Sequence, residues 1–250
     1  MIWLWPALGA VAGLIVGSFL GNLVVRWPRG EGLGGRSACD ACRVPLGVRD
    51  LVPLISFALV RGRCRICREA IDPVHTIVEA SSAAVGFVAL AVSPDAAGLT
   101  AVLVGWLLVA LAALDIREFW LPDVLTAGLA MVATLSAWVV DPPGTIDRIL
   151  GGCAAFGSLW LIAALYRHIR GREGLGGGDP KLFGAIGLWL GWEPLPFVLL
   201  GASGLGIAVV LVMAGRGGAV TATTRLPFGA ALAVAAFAVW AISRAGLPPL

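Results

Sequence analysis

Four cysteines form two Cys-x-x-Cys pairs, Cys39 with Cys42 and Cys64 with Cys67, separated by 21 residues. This is the spacing of a tetrahedral zinc site in which each pair turns around the metal. Two disulfides could use the same residues, as could an iron cluster or four free thiols. Zinc held by four thiolates has no open position for water, so it would be structural. Its task would be to fold the stretch 26–75, which is too small to build a stable core unaided. A fifth cysteine, Cys153 beside Gly151 and Gly152, reads as a small buried apolar residue.

Two aspartates carry the other chemistry. Asp115 follows a long apolar run, at a helix C-terminal end where the macrodipole disfavours an anion, so nothing structural recommends it there. Asp179 follows Gly174, Gly176, Gly177 and Gly178, a backbone without side-chain walls against which an extended chain could pair its peptide groups. Before Pro180, Asp179 is also a good helix cap. Asp123 after Pro122 reads as a capping acid, Glu118 as solvated, and Lys181 as an interfacial anchor or an orienter of substrate. Two membrane crossings separate Asp115 from Asp179, which returns both carboxylates to one face. Two acids sharing a proton can activate water as general base and donate a proton as general acid, the chemistry of an aspartic protease. The only histidines, His75 and His168, have no ligand partner at helical spacing.

The elements that must position these groups are membrane helices. The 250-residue chain is 59% apolar and 13% charged, with a mean hydropathy of +0.93, outside the range of soluble domains. Eight stretches have the character of crossings: 2–25, 76–92, 97–114, 121–140, 149–168, 181–190, 195–213 and 226–243. The first lacks a basic head and a small-residue cleavage site, and Ile2, Trp3, Leu4 and Trp5 suggest an interfacial anchor, so it reads as a retained helix. The expected fold is an all-α polytopic membrane protein of about eight transmembrane helices, divided as 1–25, a zinc-binding loop domain 26–75, and a seven-helix core 76–250. Of 18 Lys and Arg, nine lie between Arg26 and Arg68, and all the rest except Arg148 and Arg244 fall in connections on the same side. By the positive-inside rule that side is the cytoplasm, a reducing compartment that favours metal over disulfides. These basic clusters need a bilayer as partner and no nucleic acid. A transporter or scaffold with zinc tethering a loop is the rival class; it would more often show mid-membrane polar residues, which this sequence lacks.

The chain resembles the bifunctional type IV prepilin peptidases, GxGD-type membrane aspartic proteases. The resemblance rests on "GSFLGNLVVRWP" at the first helix end, the two cysteine pairs with "PLISFALVRGRC" between them, "DIREFWLPD" and "GLGGGDPKLFGAIGLWLG". It implies Asp115 and Asp179 as the catalytic pair, Gly176 and Gly178 as the motif glycines beside substrate, and Cys39, Cys42, Cys64 and Cys67 as zinc ligands. It also implies cleavage of a basic leader from prepilins or pseudopilins after a glycine, at the cytoplasmic face of the bacterial inner membrane. Methylation of the new N-terminus by S-adenosylmethionine is implied too, with Asn22, Arg26 and Glu79 as candidate residues; a peptidase without methyl transfer is the alternative. Two departures stand out. The run "IDPVHTIVE" differs from the usual family segment, and in "LPFGA" Ala230 stands where the family commonly has proline.

Overall fold

A computed structural model describes residues 3–35, 37–39, 41–217, 221 and 224–246. Ile2, where the first crossing is read to begin, lies outside the described residues. The chain divides into two compact units between Ala91 and Val92.

The first unit holds α1 (Leu4–Arg26), the cysteine segment with the short α-helix α2 (Ile55–Leu59), and α3 (Pro73–Val92). The α1 glycines at 9, 13, 17 and 21 recur every fourth residue, so they share one face. Cβ atoms on Gly9 and Gly13 would stand 2.3 and 2.2 Å from the carbonyl oxygens of Gly86 and Ser82 on α3, and one on Gly17 would stand 2.7 Å from Glu79 Cα. Backbone meets backbone along this seam, the close approach by which membrane helices associate without a hydrophobic driving force. Its consequence is to fix Glu79 and His75 of α3 beside the C-terminal half of α1.

The second unit contains α4 (Ala96–Glu118), α5 (Asp123–Ser136), α6 (Thr145–Arg170), α7 (Gly178–Leu190), α8 (Leu195–Gly215) and α9 (Phe228–Arg244). Helices α4, α5, α7 and α9 close a ring through the pairs α4–α5, α5–α7, α7–α9 and α9–α4. Helix α6 packs outside α7, and α8 outside α9. Among the described residues the only β pairing is two isolated bridges in the cysteine segment.

Among the described residues five helices, α1, α3, α4, α6 and α8, are long and apolar enough to cross a membrane, while α5 and α9 are apolar but shorter. The polarity of the surface is inverted relative to a soluble domain: Trp160, Leu161, Leu200 and Leu211 are each more than half exposed, a surface that lipid would cover. Cys153 belongs to this outward face of α6; it is exposed, not buried. The structure shortens the 121–140 stretch to Asp123–Ser136 and lengthens 149–168 to Thr145–Arg170.

Arg148 explains that trade. It is 3% exposed near the start of α6. Its guanidinium donates to the carbonyls of Pro143, Ala133, Leu188, Trp189 and Val140 and to Ser136 Oγ. One cation thus meets the Ala133 carbonyl in the last turn of α5 and the Leu188 and Trp189 carbonyls in the last turn of α7.

Candidate active site

Asp115 lies in the last turn of α4, which ends where Phe119 turns left-handed (φ 50°) and donates its N–H to the Asp115 carbonyl. The residue is 5% exposed. Its Oδ2 accepts the Ala230 N–H at 2.9 Å, and the Gly229 N–H also bonds the carboxylate. Both donors belong to the first turn of α9, where N–H groups lack intrahelical acceptors. The unfavourable end of α4 is therefore offset by the favourable end of α9.

Asp179 lies in the first turn of α7 and is also 5% exposed. Its Oδ2 reaches back to accept the Gly176 N–H at 3.0 Å, binding the glycine segment to the helix it precedes. A Cβ on Gly176 would stand 3.1 Å from that oxygen, and one on Gly178 would stand 2.7 Å from Leu121 Cβ. The same leucine's Cδ1 is 2.8 Å from where a Gly229 Cβ would be, with Asp115 Oδ2 at 3.0 Å. Leu121 thus fills the notches beside both aspartates. The structure brings Asp115 and Asp179 together closely enough for the charge of one to act on the other.

Lys181 and Asp123 have a joint explanation that their separate sequence readings miss. Lys181 Nζ donates to Asp123 Oδ1 at 2.7 Å, joining α7 to α5. Asp123 occupies the first turn of α5, where an acid complements the helix dipole.

In the first unit, the four sulfurs of Cys39, Cys42, Cys64 and Cys67 lie within 4.8 Å of one another. Cys39 Sγ and Cys67 Sγ are 3.8 Å apart, far beyond a disulfide bond and close to the edge of a tetrahedron with metal–sulfur bonds of about 2.3 Å. Both pairs are built alike. Cys39 and Cys64 each accept, on their carbonyls, the N–H of the residue that follows the second cysteine, Arg43 and Arg68. Those two arginines have positive φ, 57° and 62°. The backbone N–H groups of Cys67 and Ile66 pull the Cys64 thiol down to about 6. Cys67 is pushed up to about 12: the Glu69 N–H favours its thiolate, but burial and the thiols of Cys64, Cys42 and Cys39 outweigh it. The four sulfurs together could hold a metal ion, and the donor set and spacing fit zinc.

Of the three remaining candidates, Asn22 and Glu79 border one cavity of about 220 Å³, and Arg26 is not among its lining. Glu79 is 8% exposed, and its Oε2 accepts the Leu54 N–H at 2.9 Å. Asn22 Nδ2 donates to the Ser18 carbonyl. Arg26 closes the last turn of α1. Sequence reasoning passed over Leu121, Gly229 and Arg148. The first two were legible only as parts of "DIREFWLPD" and "LPFGA", and the donors on α9 are backbone groups without a residue signature.

Two family models match: the bacterial peptidase A24 N-terminal domain over residues 11–93 and the type IV leader peptidase family over residues 101–211. The chain is similar to a protein of Escherichia coli named type 4 prepilin-like proteins leader peptide-processing enzyme, 35% identical over 93% of this chain and 92% of the relative. Proteins named prepilin leader peptidase/N-methyltransferase are similar as well. The one from Burkholderia pseudomallei is 36% identical over 91% of this chain and 82% of the relative. The one from Aeromonas hydrophila is 32% identical over 93% and 89%. No solved structure matches with significance. With these relatives matching over more than nine-tenths of this chain and the two models falling one on each compact unit, the chain belongs to the type IV leader peptidase family and is an integral-membrane peptidase.

Proposed function

We propose that this chain removes the basic leader of type 4 prepilins or pseudopilins after a glycine, with Asp115 and Asp179 as the catalytic pair. The observation that carries the reading is the pairing of two buried carboxylates on different helices, each held through Oδ2 by backbone N–H groups. That anchoring leaves the Oδ1 atoms for water and substrate. One carboxylate, ionised, takes a proton from the attacking water, while the other, protonated, gives its proton to the peptide group as the C–N bond breaks. The exposed glycines Gly176 and Gly177 offer an open backbone beside the dyad for the extended segment of substrate. A prepilin, with an apolar helix in the bilayer and a charged leader in the cytoplasm, has its scissile bond at the boundary where the aspartates lie. The basic connections support a cytoplasmic active site in a bacterial inner membrane.

Zinc bound by the four cysteines would close the two knuckles and fold the segment between α1 and α3, taking no part in hydrolysis. The relatives' names support a second step, methylation of the new N-terminus. S-adenosylmethionine would supply the methyl group, and Asn22 and Glu79 are this chain's residues at the cavity of the cysteine unit.

The test is co-expression of a tagged prepilin with the wild-type protein, Asp115→Asn and Asp179→Asn, reading the pilin's intact mass. Each variant keeps shape and loses an ionisable group, so cleavage should fall by about 10²–10⁴-fold while the protein still accumulates in the membrane. Normal cleavage by either variant sinks the dyad. A product heavier by one methylene reports the second step.

A further inference from the structure

A cavity of about 430 Å³ opens where α4 and α6 begin and α5, α7 and α9 end. Asp115 and Asp179 stand at the opposite ends of α4 and α7, so the peptidase reading leaves this space without a use. Arg148 borders it. Every acceptor its buried guanidinium reaches is uncharged, and it forms no ion pair among the described residues. Asp141 acts on it only through the longer-range field. Its Nη2 carries two N–H groups and gives one bond, to the Val140 carbonyl. A buried cation is costly unless an anion meets it, so the space beside Arg148 favours a negative group.

The rest of the lining decides what kind of negative group. Four charged residues border the cavity, Arg148 and Arg244 against Asp147 and Glu193. Arg244 gives one bond, from Nη2 to the Pro142 carbonyl, and Asp95 lies within reach of its charge. Asp147 Oδ1 accepts the Trp192 Nε1–H. Glu193 is exposed and meets no cation among the described residues. Two charges of each sign suit a ligand that itself carries both. Trp189 and Trp240, stacked at 5.9 Å, and the half-exposed Trp192 add the aromatic lining favoured at a membrane–water interface. Helices α5 and α7, of 14 and 13 residues, are too short to cross a core of about 30 Å, so the recess at their C-terminal ends borders lipid.

We propose that this cavity holds the headgroup of phosphatidylethanolamine, its phosphate facing Arg148 and Arg244 and its ammonium facing Glu193. The inference is independent of the peptidase reading. The volume of about 430 Å³ lies within the roughly 300–1,000 Å³ of small-ligand sites and has room for phosphoethanolamine, with the acyl chains left outside. A primary ammonium donates N–H bonds to a carboxylate, which a trimethylammonium does not, and a glycerol headgroup brings Glu193 no positive charge. The phosphate supplies the anion that Arg148 lacks. Since the same guanidinium holds the last turns of α5 and α7, the lipid becomes part of what fixes those two helices.

The experiment uses the full chain, purified in detergent and stripped of lipid, with native mass spectrometry reading the binding of dimyristoyl phosphatidylethanolamine, phosphatidylcholine and phosphatidylglycerol. The wild-type protein should hold phosphatidylethanolamine about tenfold more tightly than either other lipid, a comparison that needs no variant. Glu193→Gln, a shape-preserving change at an exposed position, should bring phosphatidylethanolamine down to the level of phosphatidylcholine. Arg244→Gln should weaken phosphatidylethanolamine by about tenfold. Equal binding of the three lipids by the wild type overturns the proposal. Tighter phosphatidylglycerol overturns it as well, making the cavity a plain anion site. A preference for phosphatidylethanolamine that survives both substitutions places the lipid elsewhere on the surface and also sinks it.

Discussion

Gly187→Ala is the sharpest test of how the second unit positions its chemistry. A Cβ at 187 would lie 2.3 Å from the Gly151 carbonyl oxygen and 2.5 Å from its carbonyl carbon. Both partners are helix backbone, which has no rotamer to yield, so α6 and α7 must separate by roughly 1 Å to restore an ordinary contact. Overpacking of this kind costs about 1–3 kcal/mol, and alanine's better helix propensity returns about 1 kcal/mol. The net loss of stability is therefore modest. The catalytic loss should be larger, because α7 carries Asp179 at its other end, and a 1 Å misplacement of a reacting group can cost about 10²-fold. Gly157→Ala on α6 is the control, since nothing lies within 4 Å of its Cβ and only the propensity gain remains. Thermal unfolding in detergent and the rate of leader removal should be measured on both. Gly187→Ala that melts with Gly157→Ala and cleaves at the wild-type rate would refute the reasoning.

Arg148→Lys should lower stability by about 2 kcal/mol or more, since three ammonium N–H groups cannot serve the six oxygens that the guanidinium reaches; an unchanged melting point would count against the staple. Asp95 caps α4, accepting from Ala97 and Gly98 N–H and from Ser93 Oγ, so Asp95→Ala should cost about 1 kcal/mol near neutral pH. The Ser93 hydroxyl first, then the Gly98 N–H, hold its carboxyl below the usual carboxylate range. The contribution is thus complete above the unfolded value of about 4 and is lost as pH falls through the folded one; a gap between wild type and variant that does not narrow on acidification would contradict this. Leu121→Ala, which empties the notches at Gly178 and Gly229, should lower kcat by about tenfold or more with KM less affected, as a change in carboxylate spacing does; a pure KM effect would make Leu121 a substrate contact.

What the sequence shows plainly is what side chains announce. The apolar runs mark the helices, and the cysteine spacing marks the cluster that the structure draws within 4.8 Å. Asp115 stands out because a helix C-terminal end is a poor place for an anion. The partners of these groups are harder to see because they are backbone atoms. Nothing in "LPFGA" says that the Ala230 N–H will point at Asp115, although that bond is one a proline there could not donate. Nor does Arg148 look different from any lone arginine at a membrane edge until its acceptors, main-chain carbonyls of three segments, are known. The α1 glycines at 9, 13, 17 and 21 are an intermediate case. Their spacing is visible, but what they approach, Gly86, Ser82 and Glu79, follows only from the pairing of α1 with α3.

Helix α7 shows how these devices combine. At 13 residues it is about 20 Å long, short of a hydrocarbon core of about 30 Å, so it cannot cross the core by itself. Its C-terminal carbonyls at Leu188 and Trp189 are met by Arg148, and its start is tied by Asp179 to Gly176. The glycine contacts with α6 then fix its position along the axis. A catalytic carboxylate at the end of a full-length helix would sit at the depth the lipid imposes. On a short helix held at both ends by protein groups, the depth of Asp179 is set by the protein, which is what the proposed dyad needs if it is to meet a bond at one fixed level of the bilayer.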